Sequence, residues 1–260
     1  MDRPGSLYLI PTPLGQHPEN QVLPDHVIKT VHKLDTFFVE RIRKANSFLR
    51  WIKHPVPDYK CRFYELNKQT PGEDLVEMLS LLKNGVNAGI ITEAGCPGVA
   101  DPGSDLVRLA HESGIAVIPL VGPSSILLAV MASGMNGQAF SFHGYLPRPG
   151  RQRTERIRYL QNESAARQIT QVFMETPYRN NNLMAELIRE LPDDTRLCAA
   201  INLTLPDEQI ISCRVSEWKK RTFDLDQLPA IFLLLAEEVA SAIGMKRKKK
   251  PTHIRKRAGK

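Results

Sequence analysis

Two apolar runs in the first half of this chain stop abruptly in glycine and proline. Residues 88–92 lead into EAGCPGVADPG at 93–103, and residues 116–120 lead into VGPSS at 121–125. A helical pattern follows each loop, so the order is strand, special loop, helix, twice over. Open α/β sheets place ligands at the carboxyl ends of their strands, where backbone N–H groups and helix N-termini are free. Gly95, Gly98 and Gly103 leave room for a ligand to approach the backbone, and Pro97, Pro102 and Pro123 hold the loop shape by fixing φ. A third loop of the same kind, PTPLG at 11–15, follows the first apolar run at 7–10.

The rest of the first half fits that frame. Strand-like segments at 36–39 and 62–66 alternate with helical stretches at about 24–33, 44–52, 73–83 and 105–112. Leu75, Met78, Leu79 and Leu82 fall on one face at spacings of three and four, as an amphipathic helix requires. Alternating β and α units with short loops predict a parallel sheet covered by helices on both faces. After Gly122 the pattern changes. An apolar helix at 125–132 and a strand at 140–146 precede a basic loop at 147–153 and a helix at 154–160. Strands at 169–174, 196–201, 208–215 and 230–235 follow, with one helix at 181–191 between the first two. The last two lack a full intervening helix, which predicts a mixed sheet with an antiparallel component. The expected organisation is α/β, with domains at 1–121 and 122–245 and a basic, disordered tail at 246–260.

Several functions are excluded by what is missing. No apolar run approaches the roughly 20 residues that span a bilayer, and no basic segment followed by an apolar core marks a signal peptide. The four cysteines are widely spaced, the expectation for reduced thiols in the cytoplasm rather than a disulfide framework. The seven histidines are scattered, so no metal site is expected. The chain has no GxGxxG after its first strand, no Walker loop, no GxSxG elbow and no HExxH helix. A ligand held mostly by the backbone of three Gly/Pro loops fits a zwitterionic nucleoside better than a triphosphate. The net charge of +7 comes from the tail, which carries nine Lys or Arg and no acid, leaving 26 basic against 28 acidic residues elsewhere. Such a tail, with Arg148, Arg151, Arg153, Arg156 and Arg158 in and after the basic loop, suits a polyanion such as RNA.

The segments YLIPTPLG (8–15), TEAGCPGVADPG (92–103), VGPSS (121–125), FSFHGYLP (140–147) and FMETPYR (173–179) occur in an order that resembles the tetrapyrrole-methylase-like superfamily of S-adenosylmethionine-dependent methyltransferases. Within it, the chain is most similar to the branch that methylates a cytidine 2′-hydroxyl in small-subunit ribosomal RNA. The resemblance implies two α/β domains with S-adenosylmethionine in the cleft between them, and a homodimer. Carried over by position, Pro13, Ala94, Gly95, Cys96, Val99, Ser124, Ser125 and Met174 would contact the cofactor, with Asn202 added to that set. The acceptor side departs from the branch. Where relatives read AEDTR, this chain has VERIR at 39–43, keeping Glu40 and Arg43 but no aspartate. INLTLPDE at 201–208 replaces a stretch with Arg, Lys and His.

Removing the proton of a ribose hydroxyl calls for a base at the cleft. Glu93 and Glu40 are the leading candidates, with Asp101 third and Arg43 aligning the acceptor. Two alternatives remain open at this stage: a methyltransferase for a small acceptor such as a tetrapyrrole, and an S-adenosylmethionine-binding RNA-associated protein without catalysis.

Overall fold

The computed structural model describes residues 3–16 and 21–236. The basic tail predicted from Lys246 lies outside them, as do His17 and His253.

The first half forms a five-stranded, all-parallel sheet. Its strands are β1 (Ser6–Ile10), β2 (Thr36–Val39), β3 (Arg62–Glu65), β4 (Ala88–Ile91) and β5 (Ala116–Pro119), in the order β3-β2-β4-β1-β5. Helices α1 (Asp25–Val31), α2 (Ile42–Trp51), α3 (Gly72–Lys83) and α4 (Ser104–Glu112) make the crossovers. β2 and β4 are buried along their whole length, the continuous apolar reading that a sheet covered on both faces demands. One face packs Leu7, Phe38, Met78, Leu82 and Leu106 together, the other Ile10, Val31, Phe37, Phe48 and Leu49. Phe37 and Phe38 are consecutive, so the pleat sends one ring to each layer. Each ring contributes roughly 1.5–3 kcal/mol by burial.

The chain leaves this sheet at Pro119, and α5 (Ser125–Ser133) already packs on the second. Ser124 caps α5 by accepting from the Leu127 amide, and Gly134 ends it in the left-handed region. The second sheet contains β6 (Phe140–Tyr145), β7 (Thr170–Met174), β8 (Arg196–Ile201), β9 (Gln209–Arg214) and β10 (Ala230–Leu235), ordered β6-β7-β10-β8-β9. Only β6 and β7 run parallel, and the other pairs are antiparallel, so the sheet is mixed as predicted. Helices α6 (Arg151–Arg167) and α7 (Asn180–Glu190) cover one face, with the short α8 (Val215–Trp218) at its margin. Trp218 is buried there and donates its indole N–H to the Leu197 carbonyl at 2.8 Å.

α6 extends beyond the predicted 154–160 at both ends. It begins at Arg151, inside the segment read as a basic loop, because Gly150 turns the chain at φ +134° and the first turn is held by long-range partners. Arg153 is therefore fully buried and is withdrawn from the basic surface. Among the described residues, no helix is long and apolar enough to cross a membrane.

Candidate active site

The three Gly/Pro loops converge at the carboxyl ends of β1, β4 and β5. Thr12 and Gly95 form an antiparallel bridge, with the Thr12 amide donating to the Gly95 carbonyl at 2.9 Å and the Gly95 amide donating back at 3.1 Å. The Thr12 hydroxyl donates to the Thr92 carbonyl and the Thr92 hydroxyl to the Gly95 carbonyl, both at 3.3 Å. The thiol of Cys96 reaches the Pro123 carbonyl at 3.5 Å, tying the second loop to the third. Gly122 packs so closely on Pro11 that a Cβ there would lie 2.3 Å from the proline ring. Gly95, Gly98 and Ala100 all have positive φ (80°, 76° and 65°), the left-handed conformation that glycine adopts at no steric cost.

Between this edge and the second sheet lies a cleft of about 400 Å³, within the size range of small-molecule sites. Leu14, Ile126, Phe142, Met174, Ala200, Leu203 and Ile231 make its apolar wall, contiguous with the core under α5. Glu40, Glu93 and Asp101, at the ends of β2 and β4 and in the second loop, line the same cavity, as do Tyr145 and Glu175 from the second sheet.

These acids are not equivalent. Glu93 is ion-paired through Oε1 to the Nε of Arg41 at 2.9 Å. Asp101 has neither an ion pair nor a hydrogen bond among the described residues. Burial pushes its carboxyl up to about 6, and the charges of Glu40 and Glu93 add to the rise against a small opposing effect of Lys68. Across the cleft, burial and then the charges of Asp101, Glu175 and Glu40 raise the Tyr145 phenol, with Arg179 opposing.

Of the residues expected at the cofactor, Ala94, Val99, Ser125, Met174 and Asn202 line the cleft. Pro13, Gly95, Cys96 and Ser124 do not reach its wall. They belong to the loops that shape it, through the Thr12 bridge, the Cys96 contact and the α5 cap. Asn202 sits at φ +48° and spends its side-chain N–H on Asp207 at 2.6 Å. Glu40 and Glu93 are at the cleft, but Arg43 is exposed on the first turn of α2 and does not line it. Its neighbour Arg41 is the arginine that meets an acid of the site, which VERIR read by motif position did not reveal. Tyr145, Glu175 and Arg179 were also missed. The FMETPYR segment held the signal, with Glu and Arg four residues apart at the end of a strand.

An α/β protein of two sheets, with three strand-end loops around a mostly apolar cleft, has the architecture of an α/β enzyme. Residues 7–219 match the model of the tetrapyrrole (corrin/porphyrin) methylases, and the chain belongs to that family; it is a methyltransferase. It is 29% identical over 236 residues to the ribosomal RNA small subunit methyltransferase I of Bacillus subtilis, covering 90% of this chain and 75% of that one. It is 30% identical over 215 residues to the protein of the same description from Thermotoga maritima, covering 82% and 90%. Among solved structures, uroporphyrin III C-methyl transferase from Thermus thermophilus superposes with a TM-score of 0.54 at 17% identity, covering 89% of this chain and 97% of that one, a likeness of fold.

Proposed function

We propose that this protein transfers a methyl group from S-adenosylmethionine to a ribose 2′-hydroxyl of small-subunit ribosomal RNA, with its two domains meeting near Gly122 and the cofactor between them. The observation that carries the reading is the joining of the three loops around a mostly apolar cleft that also holds Glu40, Glu93 and Asp101. The test of fit is local. The left-handed glycines leave the loop edge bare for a nucleoside, the apolar wall suits an adenine, and the acids suit a sulfonium. Ala94, Val99, Ser125, Met174 and Asn202 would hold the cofactor. The relatives named for ribosomal RNA supply the acceptor class, and two exposed arginines follow the cleft strand β6: Arg148 in the loop after it, and Arg151 at the start of α6, where it pairs with Glu155. The tetrapyrrole alternative has a cleft of the right family but gains nothing from those arginines.

When bound, S-adenosylmethionine supplies a methyl already activated on a positive sulfur, so the chain's own task is alignment and proton removal. Glu93 is less suited than Asp101, because its Oε1 is ion-paired to Arg41. Asp101 is free of partners and has a carboxyl poised near the working pH, which is what a general base needs. In this scheme Asp101 takes the hydroxyl proton and Glu40 and Glu93 keep it basic. The test is methylation of small subunits from cells lacking this protein, read by mapping 2′-O-methylated nucleotides. Transfer to no ribosomal RNA position would overturn the assignment.

Gly95→Val should cut affinity for S-adenosylhomocysteine by about tenfold or more in calorimetry. Its Cβ would make only ordinary contacts, with Leu14 at 3.4 Å and the Pro123 carbonyl at 3.8 Å. The damage therefore comes from forcing a β-branched residue to φ +80° and breaking the Thr12 bridge. A folded Gly95→Val protein with wild-type affinity would separate the bridge from the binding site.

A second copy of this chain is the partner proposed for α5. Its sequence is apolar on nearly all sides, and Met131 (78% exposed) and Leu127 (53%) face outward one turn apart, next to exposed Val121. A helix of that kind is normally covered. Met131→Glu should convert a dimer to a monomer in light scattering, and an unchanged mass would place the interface elsewhere.

A further inference from the structure

The least economical feature of the second domain is a charge network that the proposed chemistry does not use. Arg153, 0% exposed, donates from Nε to Glu186 at 2.6 Å and from Nη1 to Glu175 Oε2 at 3.3 Å, and its Nη2 meets Asn182. Glu175 is itself buried. Its other oxygen accepts from the Thr176 amide at 2.7 Å and from Arg179 Nε and Nη2 at 3.0 and 2.6 Å. Arg179 in turn lies over the ring of Tyr178, 5.3 Å from its centre. Tyr178 is 61% exposed. Buried ion pairs of this sort repay their desolvation poorly, so stability is a weak reason for the network. Its mechanical effect is specific. From the first turn of α6 through Glu175 it fixes one guanidinium, and the guanidinium backs an aromatic ring that is mostly open to solvent.

Tyr178 follows directly on a residue of the cleft wall, Pro177. Glu175 and Pro177, on the same turn, line the cavity, and Tyr145 lines it from the neighbouring strand β6. An aromatic ring backed by a fixed cation is a surface for stacking a flat, electron-rich group. Single-stranded RNA offers nucleobases for the ring and phosphates for the N–H groups of Arg179 that Glu175 does not use. We infer that Tyr178, held by the Arg153–Glu175–Arg179 network, is the platform on which a base of the RNA beside the acceptor nucleotide stacks, and so a residue that positions the substrate. This inference rests on the RNA reading above but not on the identity of the base that takes the proton.

The experiment compares Tyr178→Ala and Tyr178→Phe in the full chain. Kinetics with unmethylated small subunits, anisotropy with a fluorescein-labelled single-stranded oligoribonucleotide, and calorimetry with S-adenosylhomocysteine give three separate readouts. Tyr178→Ala should raise the KM for subunits and weaken oligoribonucleotide binding roughly tenfold or more, the loss of one base–aromatic stack. Tyr178→Phe should restore both, and neither change should alter cofactor affinity. Because Tyr178 is exposed, both variants should melt as the wild type does. Glu175→Gln, which loosens Arg179 and leaves the ring, should reproduce part of the loss in KM. Wild-type RNA affinity and KM in Tyr178→Ala, or a Phe variant as impaired as the Ala one, would overturn the platform. If the wild type methylates no RNA while Tyr178→Ala still loses oligoribonucleotide binding, the substrate assignment falls and the platform stands. If the wild type methylates subunits and Tyr178→Ala matches it, the reverse holds.

Discussion

Asp101→Asn is expected to lower methyl transfer by about 10²-fold or more while cofactor affinity stays near wild type, the usual scale for losing a general base. The pH profile is the sharper measurement. With the Asp101 carboxyl near 6, wild-type activity should rise through that pH as the carboxylate forms and level off above it. The Asn variant should lose that limb. Stability should move the opposite way. A carboxyl whose pKa is raised on folding binds its proton more tightly in the native state, so native stability falls as pH rises from about 4 to about 6. Asn has no charge to bury beside Glu40 and Glu93, and the variant should be at least as stable as the wild type at pH 7. A destabilised Asp101→Asn protein, or one with wild-type turnover and an intact acid limb, would remove Asp101 from the mechanism. Glu93→Gln is the companion: with Arg41 on its carboxylate, its effect on turnover should be the smaller of the two.

The difference between those two acids marks how far the chain could be read before the fold was known. Both are visible as carboxylates after apolar strands, and sequence spacing ranks Glu93 first because it follows β4 directly. The ranking reverses once Arg41 is seen on Glu93, a contact between the turns after two different strands. Local signals were dependable where the physics is local. The continuously apolar runs of β2 and β4 specify a doubly covered sheet, and the three Gly/Pro loops specify strand ends with unusual backbone. The bridge between Thr12 and Gly95 joins segments that the sequence showed to be alike but gave no means of pairing. The start of α6 was missed because RQRT at 151–154 has no apolar periodicity. Its ordering comes from Glu175, Asn182 and Glu186, between 22 and 33 residues further on. A fully buried arginine carries no signature that distinguishes it from the solvated arginines beside it in the chain.

That arginine yields the largest effect on stability. Arg153→Ala should destabilise the protein by about 3–5 kcal/mol, the range for removing one partner of a buried ion pair. The loss is not simply that of its hydrogen bonds. Glu186 would keep only the Thr154 hydroxyl, at 2.9 Å, and the weak, longer contact of Arg189 at 3.9 Å. Glu175 would keep Arg179 but lose the cation on its inner oxygen. Arg153→Met, which fills the space without the charge, should recover little, because the stranded carboxylates and not the cavity dominate the cost. Combining Arg153→Met with Glu175→Gln and Glu186→Gln should recover much of it, since removing all the charges together removes the unpaired desolvation. Urea denaturation of the single and triple variants tests this ordering. If Arg153→Ala unfolds at the wild-type midpoint, the network contributes neither stability nor rigidity, and the orientation of Arg179 must have another source.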